Sequence, residues 1–403
     1  MRIKQSVSLK RSLRLMLVTF YGLGTILGAG IYVLIGKVAA QAGIYTPLAF
    51  LLASLIAFFT AVSYAELSSR YPLSAGEAAY VEEAFQKKWL SQLIGWLVVL
   101  TGVVSAAAIT QGFVGYLQVF VTLPQWLAVF LLLFCMGAVA VLGITESAVM
   151  VMIITLIELL GLLLILFYAA DSFQKLPVLW QEKPPFMLKD WAGVISGAFI
   201  AFYAYIGFED MVNIAEEIKN PEKTLPAAIF LALALASFLY IIVALAMILV
   251  LPMSLLSTTD APLAAFITQK GYSPFLISLI SMVAIVNGAF AQIIMASRVI
   301  YGMAKKQKTL AFFASVNPKT QTPIWATAFV VFIILFLALG FNIEVLAKAT
   351  SSIILCVFAV INLALIVIKV KGIDAGAGKN YSLLFPMVGF LITLVFLFSQ
   401  LWF

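Results

Sequence analysis

The chain of 403 residues contains no histidine. That excludes imidazole-based metal sites and histidine general bases. Cysteine is nearly as scarce: Cys135 and Cys356 each fall inside an apolar run and read as inert core thiols. Charged residues are only 10% of the chain, against 64% hydrophobic ones. A soluble domain cannot hide that much apolar surface, because its exterior needs polar cover. No polar segment is long enough to form a separate soluble domain. The alternating segments that mark a transmembrane barrel are absent as well. An intramembrane enzyme would need a metal motif or a catalytic pair, and there is neither an HExxH nor a pair of mid-span aspartates. A channel would show a repeated pore segment, which is not visible either.

What the chain has is a succession of apolar runs of about 20 residues, the length of a membrane-crossing helix. Eleven spans are predicted, at 15–40, 46–70, 90–121, 125–143, 147–170, 190–218, 223–251, 275–304, 324–341, 345–369 and 382–403. The basic segment 1–14 resembles the start of a signal peptide, but the apolar run behind it is too long and lacks a cleavage site. It reads as a retained first helix. The loops 171–189 and 252–274 read as extramembrane connections, and GEAAYVEEAFQKK at 76–88 as an interfacial amphipathic helix.

The net charge of +7 is a topology signal. With the N-terminus in the cytoplasm, one set of loops collects all of the 24 Lys and Arg residues except Lys37, Lys175, Lys183, Lys189, Lys270 and Lys348. Basic residues mark the cytoplasmic side. The expected location is therefore a plasma (inner) membrane, with a cytoplasmic N-terminus and, for eleven spans, a C-terminus outside.

Phe20 to Tyr32 carries Gly22, Gly24, Gly28 and Gly30 inside the first span. Each glycine in a helix interior costs about 1 kcal/mol relative to alanine. So dense a cluster predicts that the helix opens, which is tolerated in a membrane only where backbone lines a cavity or is buried in protein. A second interruption, YAYIGFE at 203–209, lies in the sixth span. The spans then divide into 15–170 and 190–369, five each, with a peripheral helix at 382–403. Five spans per half give opposite orientations. Paired interrupted segments in two such halves point to a transporter's binding site.

GTILGAGIY at 24–32, AVSYAELSSRYPLSAGEAAYV at 61–81, FYAYIGFEDMVNIAEEIKNPEKTLPAAI at 202–229, ASRVIYGMAKK at 296–306 and NPKTQTPIWA at 317–326 occur in family order. In these segments the chain resembles the amino acid–polyamine–organocation (APC) superfamily of permeases. The resemblance implies an all-α polytopic membrane protein of LeuT-type fold: two inverted five-helix repeats, helices 1 and 6 broken, and alternating access to one central site. It implies that Gly28, Ala29 and Gly30 hold a substrate carboxylate through backbone N–H groups. It also implies that carbonyls at Ile26, Tyr203 and Ile206 hold the α-ammonium. An aromatic at the helix 6 break acts in the family as a lid; Tyr203 is the nearest match, with Phe202 and Tyr205 beside it. The family commonly has twelve helices, and this sequence holds eleven.

Ionisable residues inside a membrane are functional candidates by default. Glu158 lies mid-span in MIITLIELLGLLL, at a place where proton-coupled members of the family carry lysine. Its carboxyl can take up a proton or help to hold a cation. Glu209 matches a family carboxylate proposed to respond to protons. Glu66, Arg70, Glu216, Glu217 and Lys219 read as ion pairs and caps at helix ends. Among the mid-span polar residues Thr25, Ser105, Thr110, Asn287, Gln292 and Ser351, Asn287 is the best substrate contact. The third span carries no acid, which favours a neutral L-amino acid over arginine or a polyamine. The expected function is cation-coupled uptake of that substrate, with no cofactor beyond a coupling proton or sodium ion and with lipid as the other partner. Exchange, a cationic substrate, and a sensing receptor or channel are the alternatives.

Overall fold

A computed structural model describes residues 11, 13–28, 30–73, 76–142, 148–182, 187, 190–306, 312–317, 319–320, 322–373 and 378–400. Among these residues the regular structure is helical, apart from one isolated bridge between Leu13 and Ile218. The helices are α1 (Leu15–Leu27), α2 (Gly30–Ala42), α3 (Thr46–Arg70), α4 (Gly76–Phe85), α5 (Lys88–Leu117), α6 (Gln125–Leu142), α7 (Ala148–Ala169) and α8 (Leu176–Glu182). They continue as α9 (Asp190–Phe202), α10 (Pro221–Val250), α11 (Met253–Thr258), α12 (Pro262–Gln269), α13 (Phe275–Lys306), α14 (Ile324–Gly340), α15 (Ile343–Val370) and α16 (Leu384–Ser399). Each predicted apolar stretch coincides with one or two of these helices.

By length and composition, eight segments among the described residues can cross a membrane. One of them, Leu15–Arg70, runs through α1, α2 and α3. The helices α14 and α16 are apolar but shorter. Large apolar side chains such as Phe134, Phe167, Phe332, Phe336 and Val395 are exposed on the outside. A water-soluble protein rarely shows so much apolar exterior, whereas lipid tails accept it.

The main packing partners are α5 with α13, α3 with α10, α5 with α15, α2 with α9, α1 with α10 and α7, α6 with α14, and α7 with α13. Small residues let these helices approach: a Cβ at Gly112 would lie 2.5 Å from Val33, and one at Gly102 2.7 Å from Met295. Helix association in a membrane depends on such close packing, since lipid removes the hydrophobic drive.

Three sequence expectations need correction. The segment 76–88 is not an amphipathic surface helix. Glu77, Tyr80, Val81 and Ala84 of α4 are buried, and α4 packs on α5 and α15. The loop 252–274 is more than a connection: α11 lies along α2, and α12 buries Leu263, Phe266 and Ile267 against its neighbours. Pro262 at the first turn of α12 suits a helix start. Cys135 is exposed on α6 and is not a core thiol. In an apolar span, lipid-facing and core positions have the same composition, so the run does not reveal which way the thiol points.

Candidate functional site

The first span breaks where the glycines lie. Gly28 caps α1 by donating its N–H to the Gly24 carbonyl at 3.2 Å, and takes backbone angles φ 8°, ψ −126° outside the helical range. The chain resumes as α2 at Gly30. The carbonyl end of one helix and the amide end of the next therefore face a gap of two residues, Gly28 and Ala29. Ala29 lies outside the described residues. Helix starts leave their first N–H groups without intrahelical partners and carry partial positive charge, and helix ends the reverse.

The second break is longer. After α9 the chain makes a 3₁₀ turn at Tyr203–Tyr205, becomes extended at Ile206 (φ −63°, ψ 135°), and runs through a 3₁₀ stretch at Glu209–Glu217. Gly207 has φ +125°, a conformation that L side chains rarely adopt, and a Cβ there would lie 2.5 Å from the Thr25 carbonyl oxygen. At Gly30 a Cβ would lie 2.4 Å from Cα of Ala204. Glycine at these two positions is what allows the breaks to meet.

Side chains tie the breaks together. The Thr25 hydroxyl donates to the Gly207 carbonyl at 2.9 Å. The Tyr240 hydroxyl, on α10, reaches the carbonyls of Ile26 at 2.7 Å and Ala204 at 3.0 Å. A lower connection adds to these: Leu13 N–H donates to Glu217 O and Lys219 N–H to Leu13 O, at 3.0 and 2.9 Å. Two unwound segments, held as one unit, present backbone groups of both signs at one place. Such a pair suits a zwitterion.

The profile of the family described as Amino acid permease matches residues 13–403. This chain belongs to the amino acid permease family. The permease is thus a membrane transporter and not an enzyme. It is 30% identical over 391 residues to the branched-chain amino acid permease BcaP of Bacillus subtilis, covering 91% of this chain and 83% of that protein. It is equally similar, 30% over 419 residues, to the methylthioribose transporter of Bacillus subtilis, with 98% and 89% covered. Human cationic amino acid transporter 4 is 28% identical over 394 residues, which are 90% of this chain but only 60% of that longer protein.

Of the residues singled out in the permease sequence, Ile26, Gly28, Gly30, Tyr203 and Ile206 come together at the breaks. The three neighbouring aromatics do not share a direction. Tyr203 reaches α5, its hydroxyl 2.8 Å from Ser105 Oγ and 3.0 Å from the Ser105 carbonyl. Tyr205 points to α3, donating to the Phe50 carbonyl at 3.0 Å, and its ring meets Tyr240. Phe202 packs on Phe358 and Phe396 of α15 and α16. Of the three, only Tyr203 turns toward α5. Adjacent residues on a helical turn diverge by about 100–120°, so Phe202 and Tyr203 cannot face one cavity.

Asn287 and Glu158, read separately from sequence, are partners: the Asn287 amide donates to Glu158 Oε1 at 3.3 Å. Glu158 is fully buried. Its backbone carbonyl accepts the Tyr32 hydroxyl at 2.5 Å, and the Tyr32 carbonyl accepts the Tyr116 hydroxyl at 2.5 Å. That chain of contacts joins α7 to α2, just beyond the first break. Glu209 lies on the other side of the breaks, where Gly207 N–H donates to its Oε2 at 2.9 Å. Among the described residues no group of three or more Cys, Asp or Glu side chains is disposed to hold a metal ion.

Two residues escaped the sequence reading. Tyr240 sat in an apolar run with nothing to distinguish it. Glu77 was assigned to a surface helix, yet it is buried and accepts the Tyr64 hydroxyl at 3.2 Å. Burial, reinforced by the nearby Asp210, lifts the Glu77 carboxyl to about 7. Of the residues read as helix-end ion pairs, Glu66 and Arg70 meet at 2.6 Å, and Lys369, which that reading did not include, joins them at 2.7 Å from Glu66.

Proposed function

We propose that the permease is a secondary active carrier that moves a neutral L-amino acid by alternating access. The substrate carboxylate binds the amide end of α2 at Gly28, Ala29 and Gly30. Its ammonium binds carbonyls of Ile26, Tyr203 and Ile206; a carbonyl has two lone pairs, so bonding to Tyr240 leaves Ile26 a second acceptor site. Tyr203 closes over the substrate toward α5. The observation that carries this reading is the joined pair of breaks, with ends of opposite polarity meeting through Thr25, Gly207 and Tyr240.

Two inverted five-helix repeats, 15–170 and 190–369, account for the packing. A two-fold between them pairs α3 with α10, α5 with α13 and α6 with α14, and makes α5–α15 the counterpart of α13–α7; all of these contacts occur. On that arrangement the chain crosses the membrane eleven times, with a cytoplasmic N-terminus and an outer C-terminus. Transport is coupled to a proton or a cation, with Glu158 and Glu209 as the coupling carboxyls. Both lie beside the backbone breaks, and intramembrane carboxyls are costly to retain without a role.

A neutral substrate is favoured because the carboxyls nearest the breaks are engaged, Glu158 with Asn287 and Glu209 with Gly207. The branched-chain relative agrees with this choice. Proteoliposome counterflow of labelled leucine and labelled arginine, with and without pH and sodium gradients, tests it. Saturable leucine exchange stimulated by one gradient is expected. Arginine carried in preference to leucine would overturn the substrate class, and current without saturation would overturn the carrier.

A further inference from the structure

We propose that Glu77, Asp210 and Glu209 form one proton-binding site on the basic-loop side of the permease, with Glu77 as the residue that completes it. Three elements meet there. Glu77 comes from the first turn of α4, Glu209 and Asp210 from the unwound stretch after the second break, and Tyr64 from α3. Gly76 seats α4 on that stretch: a Cβ there would lie 2.6 Å from Asn213 Oδ1 and 3.0 Å from Val212.

Glu77 and Glu209 are each only 4% exposed. The charged groups that act on them are acids: Asp210 on both, and Glu77 on Glu209. The neighbouring bases are committed elsewhere. Arg70 and Lys369 hold Glu66, Lys371 donates to the Ala84 carbonyl at the far end of α4, and Lys87 and Lys88 are exposed to solvent. Among the described residues no base pairs with these carboxyls, two of them buried and Asp210 half-buried; carboxylates so placed repel one another, and uptake of a proton relieves the repulsion. A second observation points to the same place. The Tyr80 hydroxyl, one helical turn along α4 and fully buried, has no hydrogen-bond partner among the described residues and lies within electrostatic reach of Glu77 and Tyr64. It is a donor left over for a carboxylate, or an acceptor for a carboxylic acid.

The step is a simple one. A carboxylate of the cluster takes a proton from water through half-buried Asp210 and becomes a carboxylic acid; release reverses it. Its consequence reaches the breaks over two hydrogen bonds. Glu209 accepts from Gly207 N–H, and the Gly207 carbonyl accepts from Thr25. A protonated Glu209 is a weaker acceptor, so loading the site loosens the junction between the two breaks on the basic side. This consequence for transport rests on the carrier reading above, whereas proton binding itself does not.

The test uses the purified full chain in lipid nanodiscs. Infrared difference spectra recorded across pH follow the carboxylic acid band, and labelled leucine uptake into proteoliposomes is measured over the same range. Wild type is expected to show a band that titrates near neutral pH. Glu77→Gln removes one like charge and should move the midpoint of the remaining carboxyls down by about one pH unit. Tyr64→Phe removes a donor to the carboxylate and should move it up. The uptake profile should shift in the same directions. An unmoved midpoint in folded, monodisperse Glu77→Gln and Tyr64→Phe proteins would overturn the site, even with leucine carried normally. A shifting band in a protein that carries no leucine would uphold the site and overturn the substrate class proposed above.

Discussion

The two breaks differ in length and in what they offer. The first spans Gly28 and Ala29, and helix resumes at once; its glycines are pressed against Met211, Thr155 and Ala204, and its neighbourhood provides backbone groups. The second unwinds from Tyr203 to Glu217 and carries Tyr203, Glu209 and Asp210. A short break without titratable side chains is suited to reading the part that all amino acids share. A long break with an aromatic and two acids is suited to closing over the substrate and sensing protons. On the function proposed above, both breaks contribute backbone groups to recognition and the second adds the lid and two acids, while Tyr240 and Thr25 hold the segments together.

The division can be broken at several points. Gly30→Leu should have the largest effect, because the new side chain meets the Ala204 backbone; leucine binding by scintillation proximity should fall below detection in a protein that still inserts. Glu158→Gln should come next. Uptake at saturating leucine should lose its dependence on the coupling gradient, and an unchanged gradient response would remove Glu158 from coupling. Tyr240→Phe deletes one hydroxyl shared by two carbonyls. The loss of such a buried bond is about 1 kcal/mol, so leucine affinity should drop about fivefold.

A pH effect on stability should be smaller. The Glu77 carboxyl is raised from 4.5 to about 7, so the folded protein holds a proton that the unfolded chain has released. Its stabilising contribution is present below pH 4.5 and is lost as pH rises through 7. Thermal unfolding should therefore show a decline over that range that Glu77→Gln flattens. Phe202→Leu should have the least effect on transport. It lowers the unfolding temperature by loosening contacts with Phe358 and Phe396, while leucine KM stays within about twofold of wild type, since a Phe-to-Leu change mainly costs packing.

Much of the helix order was legible, because a helix that must cross a membrane announces itself by length and apolarity. The breaks were legible for the opposite reason: Gly28, Gly30 and Gly207 stand where an apolar helix gains nothing from glycine. Facing was not legible. An apolar span is apolar on both its lipid and its core sides, so the exposed Cys135, the packing of buried Phe202 on α15 and α16 and the bridging Tyr240 could not be read from it. Pairing was hidden too: Asn287 and Glu158 are 129 residues apart and meet only through the packing of α7 on α13. Glu77 was misplaced because a short segment between two spans, rich in charge, has the composition of a surface helix. Its burial depends on α5 and α15 closing over it.

The claim that two breaks form one amino acid site is tested most directly by binding labelled leucine to purified protein altered at each break separately. Gly30→Leu changes only the first and Gly207→Ala only the second, and a Cβ at either would collide with the opposite break. The account expects wild-type protein to bind leucine saturably and both folded variants to lose that binding. Unchanged affinity in either folded variant would contradict it.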